Sequence, residues 1–92
     1  MIKAEYSGNY YDMYRNLIEE NACLKETILN KINIFRNNPD DTRLFNHTLT
    51  GIMDGKYAFS ITDDIRIVYE WVGKNTVRFL AIGGHPQVYP IN

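Results

Sequence analysis

Residues that build disulfide frameworks and metal sites are scarce in this sequence of 92 residues. It contains one cysteine, Cys23, and two histidines, His47 and His85, which are far apart along the chain. A single cysteine excludes an internal disulfide and a multi-cysteine zinc site, and two distant histidines do not form a conventional metal motif. We therefore predict no bound metal ion and no small-molecule cofactor.

Long apolar runs and an excess of one charge are also missing. No apolar segment approaches the roughly 20 residues that span a bilayer, and no basic start followed by an apolar block indicates a signal peptide. Ten basic and eleven acidic residues give a net charge of −1, which argues against indiscriminate binding of nucleic acid through a large basic surface. We expect a cytoplasmic protein with no membrane partner, and the charge balance still permits a small local basic site.

Hydrophobic residues, in contrast, make up 45% of the chain, which is enough for a globular protein with one core. The first half predicts an edge strand over residues 2–6. It then predicts a helix over residues 9–20, for which Ser7 is the N-cap. A second helix is predicted over residues 22–37 and stops before Pro39, because proline disfavours helix in the residue that precedes it.

The second half of the chain changes to the alternating pattern of β-strands. Four strands are predicted, of which the last is short, over residues 57–61, 65–72, 76–82 and 88–91. The order of one strand, two helices and an antiparallel meander predicts a single α+β domain over residues 1–92, in which a two-helix hairpin packs on the sheet.

The loop between the last two long strands, residues 73–76, predicts their register. One face of the sheet then pairs Arg66 with Gly83, Val68 with Ala81, Glu70 with Phe79 and Val72 with Val77. The opposite face is more apolar and is expected to meet the helices; it carries Ile65, Ile67, Tyr69, Trp71, Leu80 and Ile82. If the connection over residues 62–64 has an odd length, Tyr57, Phe59 and Ile61 also lie on this helix-facing side. The first face then holds an open depression surrounded by Ala58, Ser60, Arg66 and His85.

Arg66 and His85 carry the evident chemistry of this depression. The planar, permanently charged guanidinium of Arg66 suits a phosphate, and an ion pair with Glu70 on the same face is the alternative. His85 follows two glycines at a strand end. Because histidine titrates near neutral pH, it is a candidate general acid, and the alternative is a loop histidine without a function. The sequence contains no glycine-rich phosphate loop and no serine nucleophile elbow.

Ordered segments along the sequence form a longer pattern. They are Asn38-Pro39, His47-x-Leu49-x-Gly51, Gly55-x-Tyr57-x-Phe59-Ser60-Ile61, Arg66-Ile67-Val68-Tyr69-Glu70 and Ile82-Gly83-x-His85-x-x-Val88-Tyr89. This pattern resembles the RelE/ParE toxin superfamily, and within it the YoeB/YafQ-like mRNA interferases of bacterial type II toxin–antitoxin modules. The resemblance covers essentially the whole chain. It implies a RelE-like fold, metal-independent cleavage of mRNA, commonly on the ribosome, and a small antitoxin as partner.

The resemblance also implies roles for individual residues. His85 is expected to be the general acid that protonates the leaving 5′-oxygen, and Arg66 to stabilise the charge of the phosphorane-like transition state. His47 or Asp64 is expected to act as the general base or to orient it. The further RNA-binding candidates are Ser60, Tyr89 and Lys56.

Two positions depart from the pattern of the superfamily. The YoeB-like branch has a glutamate base four positions before His47, where this chain has Arg43, and the YafQ-like branch has a further histidine where this chain offers Ser60 or Thr62. These departures and the slightly acidic composition leave two alternatives to an RNA-cleaving toxin. One is a ParE-like toxin that inhibits DNA gyrase without cutting RNA. The other is a weakened toxin that mainly binds its antitoxin.

Overall fold

The computed structural model describes residues 1–49 and 51–84. Its helices and strands, in chain order, are β1 (Lys3–Tyr6), α1 (Gly8–Glu20), α2 (Leu24–Asn37), β2 (His47–Thr48), β3 (Tyr57–Ser60), β4 (Arg66–Trp71) and β5 (Thr76–Gly83). Two short 3₁₀ turns, Thr42–Leu44 and Gly51–Met53, flank β2. The predicted α+β class is therefore confirmed, whereas the predicted closing strand over residues 88–91 lies outside the described residues.

The strands form one five-stranded sheet in the order β1-β5-β4-β3-β2. β1 is an edge strand, as predicted, and pairs parallel with β5, whereas the other pairs are antiparallel. β2 was not predicted, because two residues are too few to produce an alternating pattern. Within residues 1–49 and 51–84, no helix is long and apolar enough to cross a membrane.

Local chemistry sets the start of α1 and the end of α2. The Ser7 hydroxyl accepts a hydrogen bond from the Tyr10 N–H at 3.0 Å, and it donates one to the Leu80 carbonyl of β5 at 3.2 Å. The N-cap of α1 is thus fixed to the sheet, as well as satisfying a helix N–H that has no partner within the helix. α2 ends at Asn37, and the chain leaves it in an extended conformation at Asn38, directly before Pro39.

The helix-facing side of the sheet holds the main core. Phe35 of α2 is fully buried and stacks on Phe59 of β3, with ring centroids 4.4 Å apart. It also meets Tyr69 of β4 edge to face at 4.8 Å. The predicted contribution of β3 to this side is confirmed, because Phe59 and Ile61 are buried in the core and Tyr57 packs against it. The connection between β3 and β4, residues 61–65, is five residues long, so its length is odd, as the alternation requires.

The register of β4 and β5 was predicted in part. The pairs Arg66–Gly83 and Val68–Ala81 are confirmed. Beyond them a β-bulge leaves Leu80 without a partner, so the predicted pairing of Glu70 with Phe79 is wrong and Glu70 faces Arg78. The predicted pairing of Val72 with Val77 is also wrong, since Trp71 is the residue that faces Val77.

The bulge also changes which side chains reach the core. An extra residue on one strand inverts the facing of every residue beyond it. Phe79 and Val77 consequently enter the helix-facing core, and Leu80 packs on the opposite face against the small cluster of Ala58, Val68 and Ala81. The prediction that Leu80 meets the helices is therefore wrong. Trp71, placed in the core by the same alternation, is 38% exposed.

Candidate active site

A depression of about 390 Å³ opens beside β2, β3 and β4. Its wall is rich in basic groups: Lys31 from α2, Arg43 from the first 3₁₀ turn, His47 from β2 and Arg66 from β4. Ser60 and Asp63 also line it, together with Phe45, Ile61 and Thr62. Positive charge is thus concentrated locally on a chain whose net charge is −1.

Strand pairing explains why the polar side chains of the sheet meet there. Ser60 pairs with Arg66 across β3 and β4, and His47 pairs with Ala58 across β2 and β3. Side chains of directly paired residues and of alternate residues lie on one face of a sheet. His47, Ser60 and Arg66 therefore share the face opposite the helices. The predicted association of Ser60 with Arg66 is observed, whereas Ala58 is fully buried beneath this face.

His47 is held by the main chain of the loop that precedes it. Its Nδ1 lies 2.9 Å from the carbonyl oxygen of Phe45. A carbonyl oxygen only accepts, so Nδ1 is the donor in this hydrogen bond. In the neutral imidazole the lone pair then resides on Nε2, which is the form that a general base requires.

Arg66 is half-buried in the wall of the depression. Among the described residues, no carboxylate forms an ion pair with it, and Glu70, the alternative partner, instead lies 3.4 Å from Arg78. Gly83, the residue opposite Arg66 on β5, presents no side chain to it. A half-buried arginine in these surroundings has the geometry of an anion site, because its fork matches two oxygens of a phosphate.

Arg43 differs from Arg66 in having a counter-charge. Its guanidinium donates to both carboxylate oxygens of Asp41, through Nε at 2.9 Å and Nη2 at 2.8 Å, and its N–H also donates to Asp41 at 2.9 Å. The hydrogen bonds from the Arg43 side chain lower the pKa of Asp41 to about 2. Arg43 therefore contributes less net positive charge to the depression than Arg66 and Lys31 do, and a guanidinium does not accept a proton.

The remaining predicted site residues lie elsewhere. Asp64 is exposed in the connection between β3 and β4, where its N–H donates to the Thr62 hydroxyl at 3.2 Å, and it is the neighbouring Asp63 that lines the depression. Lys56 precedes β3 and is not part of the wall. His85 and Tyr89, the expected general acid and a further RNA-binding candidate, lie outside the described residues.

Sequence reasoning missed Lys31 and Phe45. Lys31 lies directly before Ile32, a buried residue of α2, so the helical pattern assigned it only to the polar side. Phe45 follows the first 3₁₀ turn with φ 49° and ψ 41°, a left-handed conformation that sequence spacing does not reveal. Its side chain is 73% exposed although it is apolar, and that exposure is the structural signal that marks it.

Comparison with known proteins gives different results for the sequence and for the structure. No protein-family profile and no curated protein sequence matches the chain. Solved structures do match. A copper-bound mutant toxin from Helicobacter pylori superposes with a TM-score of 0.78 at 21% identity, covering 97% of this chain and 100% of that chain. A YoeB/ParE toxin from Agrobacterium tumefaciens gives a TM-score of 0.77 at 22% identity, covering 91% of this chain and 99% of that one. The chain has the YoeB/YafQ toxin fold.

Further structures with the YoeB/YafQ toxin fold extend the comparison. YafQ from E. coli gives a TM-score of 0.76 at 18% identity, covering 92% of this chain and 94% of its own. A YoeB–YefM complex from Staphylococcus aureus gives a TM-score of 0.73 at 17% identity, covering 92% of this chain and 98% of that chain. At such identities the likeness is one of fold, and it covers nearly the full length of every chain compared.

Proposed function

We propose that this chain is the toxin of a toxin–antitoxin pair and that it cleaves mRNA by metal-independent chemistry. The observation that carries the proposal is that Arg66 and His47 line the same depression. Arg66 has no ion-pair partner among the described residues, and His47 Nδ1 is held as a hydrogen-bond donor. These are two of the groups that cleavage of an RNA phosphodiester needs. The YoeB/YafQ toxin fold supports the proposal, because those names belong to toxins.

The reaction assigns one task to each group. His47 Nε2 takes the proton of a ribose 2′-hydroxyl, whose oxygen attacks the adjacent phosphorus. The guanidinium of Arg66 binds the non-bridging oxygens, where negative charge increases in the transition state, and Lys31 adds to the field. The bond from phosphorus to the 5′-oxygen then breaks. A proton from the general acid completes the 5′-hydroxyl, and the other product carries a 2′,3′-cyclic phosphate.

Of the two candidate general bases, His47 and Asp64, we propose His47. It lines the depression together with Arg66, whereas Asp64 does not. His85 is proposed as the general acid on the strength of the sequence pattern alone. Ser60, paired with Arg66 across the strands, is proposed to contact the phosphate or the ribose.

The proposed partners are a cognate antitoxin, mRNA and the ribosome. Among the structures with the same fold is a YoeB–YefM toxin–antitoxin complex from Staphylococcus aureus. An antitoxin segment that folds on this chain would shield the basic depression, and such segments cover large surfaces when they order on binding. The ribosome is proposed as the place of cleavage from the sequence resemblance.

One observation favours a second candidate function, that of a weakened toxin which mainly binds its antitoxin. Arg43, ion-paired with Asp41, stands where the YoeB-like pattern has its glutamate base. If His47 does not replace that glutamate, cleavage is slow while the surface for an antitoxin is unchanged. The two functions differ in the rate of RNA cleavage.

A primer-extension assay on translating ribosomes tests the proposal. Purified chain is added to a translation reaction, and the 5′ ends of the mRNA fragments are mapped for the wild type, for His85→Ala and for the control Arg15→Ala. Arg15 is an exposed residue of α1 that pairs with Asp12 outside the depression. We expect cuts with the wild type and the control and none with His85→Ala. Folded wild-type protein that makes no cuts would exclude the nuclease and favour the antitoxin-binding function.

A further inference from the structure

Phe45 is unusual in both its backbone and its exposure. It is the one residue other than glycine with positive φ in the described part of the chain, at 49°. Bulky side chains are disfavoured in the left-handed region, which glycine and asparagine enter readily. The residue is 73% exposed, so burial of apolar surface contributes little in return. Neither folding nor packing accounts for a phenylalanine at this position.

The position of Phe45 links it to the basic depression. Its side chain lines the same wall as Lys31, His47 and Arg66. Its carbonyl oxygen accepts the hydrogen bond from His47 Nδ1 at 2.9 Å. The left-handed turn at Phe45 ends the 3₁₀ turn, with the Phe45 N–H donating to the Thr42 carbonyl at 3.4 Å, and directs the chain into β2. One residue therefore orients His47 through its main chain and places an aromatic ring beside cationic groups.

We propose that the ring of Phe45 is a stacking platform for one nucleobase of an unpaired RNA strand whose phosphate is bound by Arg66. This inference rests on the proposed function and adds the element that recognises the base. Every base has a π-face, so stacking on an aromatic ring holds a single strand with little dependence on sequence. Proteins that bind single strands usually combine basic groups, which bind the phosphates, with an aromatic ring, on which a base stacks. The basic groups around Phe45 suit the phosphates on either side of a stacked base.

Binding of a short RNA to the full chain tests this role without cleavage. The probe carries a 2′-O-methyl group at each nucleotide, which blocks the attacking hydroxyl, and 2-aminopurine at one position at a time. Stacking on Phe45 is expected to quench 2-aminopurine at one position. Phe45→Leu keeps an apolar side chain without a π-face, and we expect it to bind roughly 5- to 150-fold more weakly, the range that one stacked base contributes. Phe45→Trp should retain both binding and quenching.

Two controls separate stacking from general damage. Leu29→Ala removes an exposed apolar side chain of α2 that does not line the depression, and it should bind as the wild type does. Phe45→Asn should bind as weakly as Phe45→Leu while its melting temperature is equal to or above that of the wild type, because asparagine tolerates the left-handed conformation. An abasic probe should bind equally to the wild type and to Phe45→Leu.

The outcomes distinguish this inference from the proposed function. If Arg66→Ala weakens binding but Phe45→Leu binds like the wild type, the stacking role is wrong and the phosphate site stands. If Phe45→Leu weakens binding of an antitoxin and not of RNA, the ring serves a protein partner and the inference is also wrong. If the wild type does not bind the probe, the stacking role is wrong, and cleavage on translating ribosomes decides the proposed function separately.

Discussion

His47 and Phe45 are joined by a hydrogen bond in which imidazole Nδ1 donates to a main-chain carbonyl oxygen 2.9 Å away. The bond spans only two positions of the chain, so the left-handed turn at Phe45 sets the orientation of the ring. Because the acceptor is a carbonyl, the tautomer is fixed and Nε2 is left to receive a proton. Orientation of a catalytic histidine by a fixed acceptor is a common device in active sites. In the proposed mechanism it provides the base, since the position of the expected glutamate carries Arg43.

Replacement of Arg66 should abolish fast cleavage without unfolding the protein. Arg66→Ala removes the cation expected to stabilise the transition state, and we predict a fall in kcat of about 10²- to 10³-fold. Arg66→Lys should restore the rate only in part, because an ammonium lacks the two-pronged geometry of the guanidinium. Cleavage rates on translating ribosomes measure this, with Arg15→Ala as the matched control. Full activity of the lysine variant would argue against a two-point contact with phosphate.

Replacement of His47 and of Asp64 identifies the general base. His47→Ala should lower kcat by about 10²- to 10⁴-fold, the usual contribution of general acid–base catalysis. Asp64→Asn should leave the rate close to that of the wild type, because Asp64 is exposed and does not line the depression. The same cleavage assay compares the two variants. A large loss with Asp64→Asn and a small loss with His47→Ala would reverse the assignment.

The ion pair of Asp41 with Arg43 should appear in the acid stability of the fold. The pKa of Asp41 falls from 3.8 to about 2 in the folded chain, so the carboxylate stabilises the fold above the unfolded pKa. This contribution is lost as the pH drops from about 4 to about 2. Asp41→Asn should therefore lower the melting temperature at neutral pH, and the difference from the wild type should shrink toward pH 2. A difference that is constant with pH would show that the ionised carboxylate is not responsible.

Tyr69 supports the loop that carries Phe45 and His47. Its hydroxyl donates to Asn46 Oδ1 at 2.9 Å, and the Asn46 amide donates to the Pro39 carbonyl at 3.0 Å. Burial raises the pKa of Tyr69 to about 12, so the phenol stays protonated and able to donate. Tyr69→Phe should destabilise the fold by about 1 to 2 kcal/mol, because Asn46 loses its donor.

Denaturant unfolding measures the effect of Tyr69→Phe, and Tyr11→Phe is the control. Tyr11 is 51% exposed and should tolerate the change. A second readout is cleavage, which should fall moderately as the loop before His47 becomes less ordered. Equal stability of Tyr69→Phe and the wild type would mean that the hydrogen bond to Asn46 does not hold the loop.

The sequence predicted the parts of the fold that depend on local chemistry. Ser7 caps α1 and the helix before Pro39 stops where expected, since capping and proline sterics act over a few residues. The pairing of Arg66 with Gly83 was predicted correctly, but the assumed loop does not explain it. Trp71, not Val72, faces Val77 next to the loop, and the bulge at Leu80 restores the predicted register beyond it. The bulge at Leu80 could not be predicted from the sequence. The alternation pattern assumes that each residue faces one partner, and no glycine or other local signal marks the extra residue here.

The candidate site was predicted less completely than the fold. Ser60 and Arg66 were placed together because they lie on paired strands, and His47 was singled out by its motif. Lys31 and Phe45 reach the depression from α2 and from a loop, so only tertiary packing brings them to it. Asp63, and not Asp64, lines the wall because the direction of a side chain in a three-residue turn does not obey strand alternation. Prediction of a site from sequence is thus most reliable where its residues share one sheet.

In the proposed mechanism, Arg66 and His47 cleave RNA through attack by the ribose 2′-hydroxyl. The most direct test of this mechanism is analysis of the fragment ends made on translating ribosomes by the wild type, Arg66→Ala and His47→Ala. We predict upstream fragments ending in a 2′,3′-cyclic phosphate and downstream fragments beginning with a 5′-hydroxyl, with neither produced at a comparable rate by the two variants. Folded wild-type protein that makes no fragments, fragments with 5′-phosphate ends, or undiminished cleavage by both variants would contradict the mechanism.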